Sequence, residues 1–326
     1  MRALTQCKPA GTRSFRLATA QLFGFGINSQ NSDKDTIDIY EAPAGYSIVQ
    51  PDQSGAEALV VAHLADDGKY RELFREGVKP HTYVALHLFL DKFRRDFPRD
   101  RYWLQRPGVL KNLPEWPQIK KWIEKESKFE YDIGKKTGHA KNYRMGPRTF
   151  MDNTLKESEG SLILSFDESK YYLDTYGLLF PEVIVWQMKT EGIVMSDRQL
   201  VNLFGFPRRF ERNFTDSYIR EAISWIPQST VGVITHNAYY ETYKHIKLYN
   251  LPWRLFNNKH DSYAALVPDA SAMECAKVMR AHMAQTMVGW DGKEFTMRSE
   301  VQIGKNMKKY DKDKNPLGLQ EVTLTE

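Results

Sequence analysis

Two short runs that read as strands, Tyr46 to Asp52 and Asp261 to Val267, stand about 200 residues apart, and most of what separates them has helical spacing. A chain laid out in this way folds as a small sheet interrupted by a long helical insertion, an α+β arrangement. Each run carries an acidic residue where strand meets turn, Asp52 and Asp261, so the sheet offers two carboxylates together. Divalent ions about 3.5 to 4 Å apart need anionic oxygens that bridge both, and Asp supplies them on a short, stiff stem. Taken singly, each is as well explained as a turn or helix-capping aspartate.

With 326 residues and 41% hydrophobic content, the chain has room for one large or two modest domains with a real core. Forty-six Lys and Arg against 41 Asp and Glu leave a net charge of +5, which suits a polyanionic partner and equally a generically basic protein. Two cysteines, Cys7 and Cys275, make neither a disulfide framework nor a four-thiolate zinc site, so any metal is expected on oxygen ligands. No run approaches the roughly 18 apolar residues of a membrane span, and Met1-Arg2-Ala3 is not followed by the apolar core of a signal peptide. The expected setting is cytoplasmic, that of a host cell if the chain is phage-encoded, with no membrane partner.

Residues 1 to 35 lack periodicity and read as irregular. After the strand at 46 to 52, Ser54-Gly55-Ala56-Glu57 has capping-box spacing and opens a helix, which Asp66-Asp67-Gly68 interrupts. A short helix to Gly77 and a longer one from Thr82 to about Phe93 follow, then an irregular insertion from Pro98 to Pro117. The pattern is helical from Ile119 to Gly146, where Pro147 ends it, and again over about 168 to 176, 180 to 190 and 217 to 247, the last kinked or broken at Pro227. Arg254 to Asn257 and Asp261 to Val267 form a hairpin with His260 and Asp261 at its tip. Ser271 and Glu274 cap a final helix with Ala276, Met279, Met283 and Met287 on one face, and residues 305 to 326 read as loose. No internal repeat is present.

Lys135, His139 and Tyr143 recur every four residues and lie within about 80° on one helix face. Such a basic stripe ending in an aromatic suits a triphosphate and a base or sugar, although a solvated charged face has the same appearance.

Several segments, in order, resemble one family. Asp52-x-Ser54-x-x-Glu57 resembles motif A of the DNA polymerase I family (family A), with Ala58 and Leu59 where that family has Leu-Arg. Phe74-Arg75-Glu76-Gly77-Val78-Lys79-Pro80-His81 is similar to the family's F-x-E-G-x-D-I-H segment. His260-Asp261 falls at motif C, His-Asp-Glu, with Ser262 in the third place, a residue also found there in single-subunit phage RNA polymerases. His139 to Gly146 resembles the His-x-x-Asn-Tyr-Gly-Met-Gly of phage-like members, with Arg144 for the first Gly. Arg220-Glu-Ala-Ile-Ser-Trp-Ile-Pro-Gln228 resembles Arg-x-x-x-Asn-x-x-x-Gln, and Phe15-Arg16-Leu17-Ala18-Thr19 is similar to a run containing Arg-Leu-Ser-Ser. The likeness covers most of the chain and is nearest to phage and viral members.

The resemblance implies a right-hand polymerase reduced to an antiparallel-sheet palm with a largely helical fingers insertion: residues 1–65 as the first part of the palm, 66–210 as fingers and 211–326 as the second part of the palm. It implies template-directed DNA polymerase activity in replication, adding dNTPs to a primer 3′-hydroxyl with two magnesium ions on Asp52 and Asp261. Glu57, Lys135, His139 and Tyr143 would bind the nucleotide, Glu57 closing the 2′ side of the sugar pocket. Arg16, Arg220, Gln228 and His260 would contact primer-template DNA. Thumb and exonuclease domains would lie on a separate polypeptide, or the chain would be a truncated copy. Two alternatives stay open: a single-subunit RNA polymerase-like enzyme, suggested by Ser262, and a catalytically silent nucleic-acid-binding remnant.

Overall fold

A computed structural model describes residues 6–8, 12, 18–20, 37–53, 55–96 and 106–324; Arg16 and Ser54 lie outside them. In chain order the strands are β1 (Gln6–Lys8), β2 (Ala18–Ala20), β3 (Tyr46–Asp52), β4 (Gln199–Val201), β5 (Pro207–Arg209), β6 (Arg254–Phe256), β7 (Ala264–Pro268), β8 (Thr286–Val288), β9 (Glu294–Thr296), β10 (Glu300–Gly304) and β11 (Gln320–Glu321). The helices are α1 (Ala56–Leu64), α2 (Lys69–Glu76), α3 (Pro80–Leu88), α4 (Leu90–Asp96), α5 (Pro107–Lys111), α6 (Trp116–Lys121), α7 (Lys128–Asn142), α8 (Pro147–Glu157), α9 (Phe166–Leu179), α10 (Pro181–Asp197), α11 (Asp216–Leu248) and α12 (Ala272–Met283). The α+β expectation holds, with the helices α2 to α10 between β3 and the second half of the sheet.

The central element is an antiparallel five-stranded sheet in the order β11-β10-β3-β7-β6. β3 is its middle strand, with Ile48 and Val49 fully buried. A proline in such a strand would normally cost a ladder bond. Pro51 escapes this because β7 stops pairing at Val49↔Ala265, while β10 continues along the other side to Asp52↔Glu300. Past that point β3 meets the chain before β7 through an isolated bridge, Asp52↔Ser262. α11 and α12 pack beneath, and Cys275, Ala276, Met279 and Met283 bury one face of α12.

Several expectations need correction. The hairpin forms as β6 and β7 with His260 in the connection as expected, but Asp261 lies in that connection too, because the strand expected from Asp261 begins only at Ala264. Pro147 does not only end a helix: it takes the first position of α8, where its missing N–H costs nothing. The stretch expected to be irregular before Pro117 contains α5 and the start of α6, a turn of π-helix at Trp122–Glu126 separates α6 from α7, and α3 stops at Leu88 before α4 begins. α11 runs through Pro227 as one helix. Residues 305 to 321 are not loose, since β11 adds to the sheet and Met307 and Leu319 bury beside Ile48. Met287 lies on β8, and Ser271 makes no side-chain cap. Gly55, at φ 68°, is the N-cap of α1, also without a side-chain cap.

Candidate active site

The two aspartates meet where β3 leaves the sheet. Gln53 N–H donates to the Asp261 carbonyl at 3.1 Å, and the bridge to Ser262 sets Asp52 beside it. Behind them the Thr235 hydroxyl of α11 accepts from Gln53 Nε2 at 2.8 Å and lies 3.2 Å from the His260 carbonyl oxygen, so one helix braces both segments. Burial first, and the charge of Asp261 second, push the Asp52 carboxyl up to about 6, against the opposing pull of Lys309 and Lys259. Asp261 itself faces solvent. Among the described residues, no group of three or more His, Cys, Asp and Glu is assembled as a metal cage. The pair nevertheless fits magnesium, which takes hard oxygen ligands from one or two carboxylates and completes its shell with water and substrate phosphates. Burial and the nearby charge of Asp261 both disfavour a charged Asp52, a cost that a divalent cation would offset.

A short way along the chain, the first turn of α1 carries Glu57, whose carboxylate accepts the hydroxyl hydrogen of Tyr143 from the end of α7. Lys135 and His139 lie on the same face of α7, both exposed, and the His139 ring stands edge-on to Tyr143 with centroids 5.3 Å apart. α3 crosses α7 closely. A Cβ on Gly134 would sit 2.6 Å from the His81 carbonyl oxygen, so only glycine allows this approach. The crossing turns His81 towards the stripe: burial and then the charges of Lys135, Lys79 and His139 bring its pKa down to about 4, so its ring is neutral at pH 7, and its Nδ1 is buried without a hydrogen-bond partner. Gln228 is half-buried on α11, and Arg220 on the same helix is paired with Asp216 one turn away. His260 is exposed beside Asp261. Asp52, Asp261, His260 and Glu57 are thus grouped at the end of β3, with Tyr143 joined to them through Glu57.

No model of a known protein family matches the chain. Curated relatives do: DNA polymerase I A, chloroplastic, of Oryza sativa subsp. japonica is 23% identical over 288 residues, 83% of this chain and 26% of that protein. DNA polymerase I B, mitochondrial, of the same organism is 22% identical over 261 residues, 77% of this chain and 24% of that protein. The chain therefore spans about a quarter of the length of these relatives. Among solved structures, the polymerase domain of Pol1 from M. smegmatis, in complex with DNA primer-template and dNTP, superposes with a TM-score of 0.64 at 18% identity, over 93% of this chain and 47% of that one. The chain thus has the fold of that polymerase domain, and most of its length is similar in sequence to DNA polymerase I proteins.

Sequence reasoning passed over two residues that the fold brings to the site. His81 was visible only as part of a likeness, because nothing in the spacing of α3 says that its first turn faces α7. Thr235 carried no signal at all, since a threonine inside a helix reads as neutral filler until its partners are known. No helix among the described residues of the domain is long and apolar enough to cross a membrane.

Proposed function

We propose that this chain is a template-directed DNA polymerase core that adds dNTPs to a primer 3′-hydroxyl by two-metal nucleotidyl transfer, acting in DNA replication. The observation that carries the proposal is the meeting of Asp52 and Asp261 at the open end of β3, with the Glu57–Tyr143 pair beside them. Asp52 and Asp261 would hold two magnesium ions, which neutralise phosphate charge around the reacting phosphorus when bound. Lys135 supplies a fixed positive charge for the incoming triphosphate, with His139 and the neutral ring of His81 as further hydrogen-bonding partners. Tyr143 offers its ring to the base or sugar, and its hydroxyl pins Glu57 where a ribose 2′-hydroxyl would otherwise fit. Arg220, Gln228 and His260 contact the primer-template. The palm then comprises residues 1–65 and 211–326, and the fingers residues 66–210.

Primer extension with dNTPs or rNTPs and magnesium tests this, using the wild type and Asp261→Ala. Extension with dNTPs that falls by at least about a hundredfold in the variant is expected, because a lost metal ligand removes several kcal/mol of charge stabilisation. No extension by the wild type, or equal extension by the variant, would sink the proposal. Preferential use of rNTPs would favour the RNA polymerase-like reading that Ser262 suggests.

A further inference from the structure

Tyr143 is the first residue beyond α7, and its ring can reach Glu57 only if the helix ends at one rotation and one height. The residue before it, Asn142, is 5% exposed and carries a primary amide into a wholly buried aromatic cluster. Its Nδ2 donates to the Tyr70 hydroxyl at 2.9 Å, and its Oδ1 accepts from the Tyr176 hydroxyl at 2.6 Å. Tyr70 and Tyr176 are 1% and 0% exposed and pack against Phe180, each ring 4.9 Å from it between centroids. From the other side Gln187, also buried, donates Nε2 to the carbonyls of Lys141 and Asn142 at 2.6 and 3.0 Å, adding a side-chain donor to the C-terminal end of the helix. Four helices, α2, α7, α9 and α10, therefore converge on the peptide just before Tyr143.

Packing alone would not need this. An apolar side chain such as leucine, branched like asparagine, would serve packing, and a buried amide is tolerated only when its donors and acceptors are met. What the amide adds is direction, because hydrogen bonds fix a rotation that apolar contact leaves loose. Asn142 and Tyr143 lie about 100° apart around the helix axis, so the bonds that turn Asn142 inward turn Tyr143 towards α1.

We propose that Asn142, held by Tyr70, Tyr176 and Gln187, is a positioning residue that keeps the Tyr143 hydroxyl on Glu57 and so sets discrimination between deoxynucleotides and ribonucleotides. This rests on the reading of the cleft as a dNTP site. The residue touches no substrate; it acts through Tyr143.

The test is the ratio of kcat/KM for a dNTP to that for the matching rNTP, in wild type, Asn142→Leu and Tyr176→Phe, the last removing one oxygen and keeping the ring. The ratio should fall by about tenfold in both variants, as expected when a buried hydrogen-bonding group loses its partner. In a Tyr143→Phe background the same changes should leave the ratio where Tyr143→Phe alone puts it. Equal losses for both nucleotides would mark a merely structural residue and overturn the inference. A wild type that extends with neither nucleotide is a failure of the polymerase reading instead, and a measurement without turnover then decides the inference. With 3-fluorotyrosine at position 143, the fluorine resonance of Asn142→Leu should move towards that of Glu57→Gln; coincidence with the wild-type resonance would overturn the inference.

Discussion

Arg144 occupies backbone that suits glycine. It has φ 57° and is the left-handed residue of a Schellman ending on α7, in which Met145 N–H donates to the Ala140 carbonyl at 2.9 Å. The side chain compensates through an ion pair with Glu191 at 2.5 Å, but both partners are partly exposed, and such pairs contribute little. Arg144→Gly is therefore expected to leave stability unchanged or raise it by up to about 1 kcal/mol, the cost of the left-handed region for an L-residue. Arg144→Val, β-branched at the same φ, should be the less stable of the two by more than that amount. Urea unfolding midpoints check both, and a clearly destabilised Arg144→Gly would show that the Glu191 pair outweighs the backbone strain. The sequence identified Arg144 as an unusual residue at this position. It could not show the φ value, nor that the neighbouring Asn142 turns inward, because nothing in a run of polar residues marks one of them as buried.

At the scale of elements, α1 is fastened to the hairpin of β8 and β9 by a histidine that must stay neutral. His63 stacks on Phe295 with ring centroids 3.9 Å apart and planes 5° from parallel. Beside it Arg71 donates to the carbonyls of Ala62 and Ala65 and to Asp291. Burial, then the charge of Arg71, lower the His63 pKa to about 4, with Asp291 and Asp67 opposing. An unfolded histidine takes its proton near 6.5, so between pH 6.5 and 4 the unfolded chain binds more protons and stability falls as pH falls. His81 on α3 adds to the same loss. Asp52, its pKa raised to about 6, works against this loss below that pH, so the expectation is placed on a difference: as pH falls from 6.5 to 4 the thermal midpoint of His63→Phe, which keeps a stacked ring, should fall less than that of the wild type. An identical drop in that variant would exclude His63 as a source. Elements with strong periodicity or clear stops, such as β3, α2, α11 and α12, were legible in the sequence. α8 was not, because a proline that cannot continue a helix is equally suited to begin one. β10 and β11 were missed because short strands are recognised by their partners, and the strand that joins this pair to the sheet, β3, lies some 250 residues from β10.

At the scale of the whole molecule, the sheet depends on that distant segment. Removing everything after Arg298 would strip β10 from Ile48 to Asp52 and take Met307 and Leu319 from the small core around Ile48. Such a chain is expected to lose its cooperative thermal transition by circular dichroism, and a midpoint within a few degrees of the full chain would refute this. The same topology has a consequence for biosynthesis. β3 leaves the ribosome with Ile48 and Val49 on it well before the strands that flank it, which end at residues 268 and 304. At roughly 5 to 20 residues per second, about 250 further residues take on the order of 12 to 50 seconds. Until then β3 lacks at least one of its two neighbours and is a natural target for ribosome-associated chaperones, and the segment bearing Asp52 is completed only long after it is made.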